Sequence, residues 1–184
     1  MVRWNNDPEV EYFVDCDLPK SLPECEIWFR VNVPSRDYRL LAIEEAGGRI
    51  IGDLELDHIS WRSGEAELRI RIGEKDYWNK GYGTEAVRRL LDMAFAAMGL
   101  RRIHLKVYRF NRRAISCYEK NGFRKEGYLH RRTGADWKDI LLMSIDQTVR
   151  CRVEAASTRE DPASVAKEEF APSLSKKNIL ERPI

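Results

Sequence analysis

Positions 78 to 84 read Trp-Asn-Lys-Gly-Tyr-Gly-Thr, directly ahead of the most regular helical pattern in the chain. A helix N-terminus leaves backbone N–H groups without intrahelical partners, and its dipole favours an anion. Gly81 and Gly83 carry no side chain to block approach to that backbone, and Lys80 adds positive charge at the mouth. Asn79, Lys80, Gly81, Tyr82, Gly83 and Thr84 thus have the make-up of a pyrophosphate cradle. A plain glycine-rich chain reversal has the same make-up. A Walker loop is excluded, because the Gly-Lys-Ser/Thr ending is absent. A dinucleotide fingerprint fits poorly, because the strands ahead of the glycines read as antiparallel.

Other side chains could do chemistry nearby. Tyr118 lies on a short helix that Asn111 would cap, and its phenol either donates a proton or packs beneath the helix. Glu65 and Glu67 alternate with apolar residues on one strand, and Asp53 and Glu55 lie on the strand before it. Each is a candidate proton acceptor or a solvated surface acid, with Glu67 the first choice. Trp28, Phe29, Trp61 and Trp137 fit the lining of a ligand pocket or ordinary core and edge packing. The pairs Arg101-Arg102 and Arg131-Arg132 fit anion contacts or surface charge.

The elements that must position these groups follow from periodicity. Asp7-Pro8-Glu9 and Ser21-Leu22-Pro23-Glu24 are helix starts, the second followed by Ile27, Trp28 and Val31 at helical spacing. Tyr38–Ala46 and Arg49–His58 read as strands joined at Gly47-Gly48, and Gly52 suggests a bulge. In Glu65–Ile72, Ala66, Leu68, Ile70 and Ile72 alternate with charges, which predicts one core face and one polar face. Gly83–Met98 carries the apolar stripe Val87, Leu90, Leu91, Ala94, Phe95 and Met98, ended by Gly99. Strand 102–109, helix 111–121 and strands 123–130 and 138–145 complete the order. The crossover through Gly83–Met98 should set strand 102–109 parallel to 65–72. The expected class is α/β, a mixed and mostly antiparallel sheet flanked by helices.

Bulk features exclude several functions. The 32 Lys and Arg residues against 30 Asp and Glu leave a formal charge of +2, and no basic block points to nucleic acid. Cysteines at 16, 25, 117 and 151 with three histidines match no metal-binding spacing, so no metal is expected. No apolar run approaches the roughly 20 residues of a membrane span, and the N-terminus lacks the apolar region of a signal peptide. A cytoplasmic protein with reduced thiols is the expectation. Composition shifts near position 148, which predicts a domain over 1–148 and a loosely ordered or edge-covering extension over 149–184.

Tyr77-Trp78-Asn79-Lys80-Gly81-Tyr82-Gly83-Thr84-Glu85-Ala86, then Asn111-Arg112-Arg113-Ala114 and Tyr118-Glu119-Lys120-Asn121-Gly122-Phe123, resemble the GCN5-related N-acetyltransferases (GNAT). Within that family the chain looks like the branch of ribosomal-protein N-terminal and spermidine acetyltransferases. The likeness runs over roughly residues 3–146, and both motifs occur in order. The resemblance implies acetyl-CoA as cosubstrate and a splayed parallel strand pair that opens its cleft. The pantetheine arm would lie along Ile70, Arg71 and Ile72, and the pyrophosphate on Asn79–Thr84. Asn111 and Ala114 would contact the cofactor, and Tyr118 would be the general acid. The acceptor would be a primary amine, on a protein or peptide N-terminus first and on a polyamine or aminoglycoside second. A non-catalytic acyl-CoA-binding module is a third reading. Two departures stand out. Trp78 replaces the usual Gln or Arg, and the family's first strand has no counterpart before Trp4. A start placed too far downstream would give the same appearance. The uncovered sheet edge would need the C-terminal segment or a partner subunit, as in a homodimer.

Overall fold

Alternation in Glu65–Ile72 sets the plan of the molecule. Ala66 and Leu68 are buried against helices, while Glu67 and Arg69 lie on the other side of the sheet. The structure, a computed structural model, describes residues 1–14, 17–133, 136–148 and 150. In order its elements are α1 (Val2–Asn5), α2 (Pro8–Glu11), α3 (Leu22–Asn32), β1 (Arg39–Glu44), β2 (Ile50–Ser60) and β3 (Glu65–Ile72). There follow α4 (Tyr82–Asp92), β4 (Arg102–Tyr108), α5 (Arg112–Lys120), β5 (Arg124–Thr133) and β6 (Asp136–Asp146). The six strands form one sheet in the order β1-β2-β3-β4-β6-β5, antiparallel except for β3 and β4. This is the mixed α/β sheet with one parallel pair expected from the sequence. No strand precedes β1 among the described residues.

One face of the sheet meets α4. Val87, Leu90 and Leu91 are essentially fully buried there against residues such as Leu56, Leu68, Ile103 and Leu105. Burying each such side chain contributes about 1.5–3 kcal/mol relative to exposure. The helix widens to i→i+5 bonding over Met93–Ala97 and stops at Gly99, whose φ of +68° suits glycine. The expected hairpin at Gly47-Gly48 is present, with Glu45 and Arg49 closing it. The β1–β2 register slips between Ile43 and Glu44, a bulge beside Gly52. A Cβ at Gly52 would meet the Arg71 carbonyl oxygen at 2.1 Å.

The other face departs from expectation. Its polar side chains are not simply solvated, because the N-terminal helices cover part of it, and Glu67 and the Arg71 side chain are buried. Arg71 donates to Asp53 at 2.6 and 3.2 Å and to Asn5 on α1. Trp4 lies flat against Gly73, where a Cβ would fall 2.1 Å from its ring, and its Nε1 donates to Glu74 at 2.7 Å. Glu74 also receives Arg3 and, at 2.6 Å, Arg49. On α3 the stripe expected from Ile27 and Val31 is exposed, and the buried residue is Cys25. The expected extension 149–184 lies outside the described residues except at Arg150, whose guanidinium pairs with Asp92.

Candidate active site

The site begins where β3 and β4 part. Their ladder holds only Glu65, Ala66 and Glu67 against Arg102, Ile103 and His104, while β4 continues alongside β6 as far as Tyr108. From Leu68 to Ile72 the backbone edge of β3 that faces β4 borders a cleft instead. Its volume is about 750 Å³. Ile70, Arg71 and Ile72 line it on one side, and Val107, Tyr108 and Asn111 on the other. The unpaired strand edge follows from the splay, and it leaves peptide groups available to a ligand chain.

Two helices begin at this cleft. Gly81, at φ +87°, is the N-cap of α4 and carries no side chain to satisfy the first turn. A Cβ built on Gly81 would meet nothing within 4 Å, so the space in front of Tyr82, Gly83 and Thr84 is open. Asn79 also adopts positive φ, at 61°, and lines the cleft with Gly81, Tyr82, Gly83 and Thr84. Lys80 sits outside the lining, with its ammonium 5.8 Å from the Tyr77 ring. At α5 the situation is reversed: Asn111 Oδ1 accepts the Ala114 N–H at 3.1 Å and caps its own helix. Asn121 ties the two helices together, donating to the carbonyls of Thr84 at 3.1 Å and Cys117 at 3.0 Å.

Each expected side chain can be placed. Tyr118 lines the cleft from α5 and packs on Phe123. Burial raises its phenol well above the ordinary range, so it keeps its proton at physiological pH. Arg71 offers the cleft its backbone, because its guanidinium is committed to Asp53 and Asn5. The Ile72 carbonyl accepts Trp78 Nε1 at 2.7 Å, so any ligand contact at Ile72 uses another group. Trp78 therefore closes the end of β3. Arg113 lies 3.7 Å above its ring and 5.0 Å from that of Phe13.

The acids line the floor. Glu67 receives Lys106 Nζ at 2.9 Å and lies 3.5 Å from Arg69. Burial pushes its carboxyl up, but Lys106 and Arg69 outweigh this and hold it below the usual range. Glu55 is pushed up to about 7, chiefly by burial and then by the Asp53 charge. Asp53 and Glu55, second choices by sequence, both line the cleft, and Glu65 does not. The cleft aromatics are Phe13, Tyr77, Trp78, Tyr82, Tyr108 and Tyr118; Trp28, Phe29, Trp61 and Trp137 are elsewhere. Phe13 gave no periodic or motif signal, Arg113 lies in the second motif without a role assigned to it, and their stacking on Trp78 is a tertiary fact. The Cys117 thiol also faces the cleft, with burial raising its pKa. Among the described residues no cluster of His, Cys, Asp or Glu is arranged to hold a metal, and no helix is long and apolar enough to cross a membrane.

Comparison with known proteins agrees with this geometry. The family model described as the acetyltransferase (GNAT) domain matches residues 1–124. The uncharacterized N-acetyltransferase p20 of Bacillus licheniformis is 27% identical over 133 residues, 70% of this chain and 74% of that one. The spermidine N(1)-acetyltransferase of Vibrio cholerae serotype O1 is 31% identical over 110 residues, 60% of this chain and 63% of that enzyme. The chain thus spans just under two thirds of that second relative. A crystal structure of spermidine N-acetyltransferase from Vibrio cholerae, in complex with CoA and spermine, superposes with a TM-score of 0.75 at 26% identity. That match covers 82% of this chain and 89% of the other. The splayed parallel pair, the open glycine-capped helix and the family match lead to one conclusion: the chain belongs to the GNAT acetyltransferase family, whose acetyl donor is acetyl-CoA.

Proposed function

We propose that the chain transfers the acetyl group of acetyl-CoA to a primary amine of a small polyamine-type molecule. The observation that carries the reading is the charge of the cleft floor. Asp53, Glu55 and Glu67 line the cleft from β2 and β3, and Arg69, Arg71 and Lys106 meet them there. Asp53 and Glu67 are ion-paired at 2.6 and 2.9 Å, whereas Arg69 lies 3.9 Å from Glu55, which leaves the Glu55 carboxyl to receive an ammonium group of a polycation. The relatives that act on spermidine favour the same acceptor over a protein N-terminus.

The residues present fit acetyl-CoA. The open N-terminus of α4, at Gly81–Thr84, would take the pyrophosphate. The free edge at Ile70 and Ile72 would take the amides of the pantetheine arm, with Asn111 and Ala114 opposite. Bound there, acetyl-CoA supplies an activated thioester. Tyr118, kept protonated, would hand a proton to the departing thiolate sulfur. A polyamine amine, with a pKa near that of lysine at about 10.4, arrives protonated and needs a base. Glu67 and Glu55 are the two cleft carboxylates placed for that task.

Self-association fits the exposed Ile27 and Val31 on α3, and a Vibrio cholerae relative is dodecameric. Free Cys25 and Cys117 agree with a cytoplasmic setting. The test is thiol release from acetyl-CoA with spermidine, spermine, an alanyl peptide and an aminoglycoside, followed by mass spectrometry of the product. The reading expects spermidine or spermine to be used at least about tenfold more efficiently than the peptide, a difference of about 1.4 kcal/mol in transition-state binding. A peptide preferred over both polyamines overturns it.

A further inference from the structure

We propose that Glu55, rather than Glu67, takes the proton from the acceptor amine. The inference rests on reading the cleft as a site of amine acetylation. Both carboxylates line the cleft, but their partners differ. Glu67 is held by Lys106 at 2.9 Å and Arg69 at 3.5 Å. The cation nearest Glu55 is Arg69, at 3.9 Å, and that guanidinium lies closer to Asp57, at 3.0 Å, and to Glu67. Glu55 is therefore the least neutralised acid of the pair, although 86% of its side-chain surface is buried, from 14% exposure.

The surroundings of Glu55 are built from three elements. Tyr38, just before β1, turns its hydroxyl toward Glu55; Tyr38 Oη is buried and has no hydrogen-bond partner among the described residues. Asp53 and Asp57 flank Glu55 on β2, and Arg69 lies opposite on β3 with Arg71 and Glu67 as neighbours. Burial and the Asp53 charge disfavour the carboxylate, while Arg69, Tyr38 and Arg71 favour it, and the outcome is a group that titrates at about 7. Such a group has an ionised fraction at neutral pH and still holds a proton well. Glu67, below the usual range, stays ionised but is a weak base. Each pKa unit by which the acceptor approaches the amine makes proton transfer about tenfold less unfavourable.

The step balances as follows. The ammonium gives one proton to the Glu55 carboxylate, and the freed nitrogen lone pair attacks the thioester carbon. A C–N bond forms and the C–S bond breaks. Tyr118 protonates the sulfur and is restored by the second proton lost from nitrogen. Glu55 returns its proton to water. The products are the acetamide, the free thiol and one proton.

The test uses the full chain and measures kcat/KM against pH, from about 5.5 to 9, for spermidine and for an alanyl peptide. The wild type should show an acidic limb with a midpoint of about 7. Glu55→Gln should lose that limb and on the order of 10²-fold in rate, with acetyl-CoA affinity by calorimetry unchanged. Glu67→Gln should keep the limb. Tyr38→Phe removes a neighbour that favours the ionised form and should move the limb to higher pH. Carbon NMR of the ligand-free protein should show a carboxyl titrating at about 7 that is missing in Glu55→Gln, which reads the group without turnover. A peptide used in place of spermidine defeats the polyamine assignment alone, since the limb is still read on the peptide amine. A limb retained in Glu55→Gln, or lost only in Glu67→Gln, overturns the role of Glu55.

Discussion

Two helices begin on the same cleft and treat their first turns in opposite ways. α5 satisfies itself: Asn111 Oδ1 takes the Ala114 N–H at 3.1 Å. α4 starts on Gly81, which has no side chain, and the space before it is open. A side-chain cap is worth about 1 kcal/mol relative to alanine but only a few tenths relative to glycine, so α4 gives up little stability by starting on Gly81. The difference divides the labour of the site. On the function proposed above, α4 would offer bare backbone donors to an anion, and α5 would offer side chains, Tyr118 foremost. Asn121 bonds across to Thr84 at 3.1 Å and fixes the two starts relative to each other.

That contrast can be broken from either side. The largest effect is expected from Gly81→Asp. Aspartate reaches positive φ at the cost of some backbone strain, the added atoms enter open space, and the carboxylate would face the pyrophosphate with like charge. Acetyl-CoA affinity by calorimetry should fall by about 10²- to 10³-fold while the protein remains folded. Tyr118→Phe comes next, with kcat lower by on the order of 10²-fold and acetyl-CoA affinity nearly intact, as stopped-flow or steady-state thiol release would show. Asn111→Ala should act mainly on stability, about 1 kcal/mol by denaturant unfolding, with a far smaller loss of cofactor affinity than Gly81→Asp. The smallest effect is expected from Glu85→Gln in the first turn of α4.

Glu85 is half-exposed and pairs with Arg88 and Arg89, both at 2.7 Å. Its carboxyl is lowered from 4.5 to about 2, first by the hydrogen bond from Arg88. A depressed folded pKa means stability that is present above about 4.5 and is lost as pH falls toward 2. Solvent screening limits the pair to roughly 0.3–0.5 kcal/mol. Unfolding of Glu85→Gln and wild type should therefore differ slightly at neutral pH and converge in acid.

Much of the scaffold was legible because its signals are local. The alternation of Ala66, Leu68, Ile70 and Ile72, the stripe of Val87, Leu90 and Leu91, and the cap at Asn111 each depend on neighbours a few residues away. The glycine turn could be read as an anion cradle only together with the second motif, and the structure adds to that expectation an open N-cap at Gly81. Ile27 and Val31 misled, because helical spacing alone does not say which face meets the core. The polar face of β3 misled for a related reason: alternation separates two faces without showing that α1 and its Trp4 cover one of them. Least legible was the ranking of the acids. Glu55 and Glu67 look alike in sequence, and only the register of β2 on β3, the reach of Lys106 and the burial of Tyr38 separate them.

The contrast between the helix starts is tested most directly by amide NMR of the labelled protein during titration with CoA and, separately, with inorganic pyrophosphate. The account predicts that the amides of Tyr82, Gly83 and Thr84 shift first and furthest with both ligands. The Ala114 amide, already held by Asn111, should move little with pyrophosphate. Saturable CoA binding that leaves residues 81–84 unperturbed would contradict it.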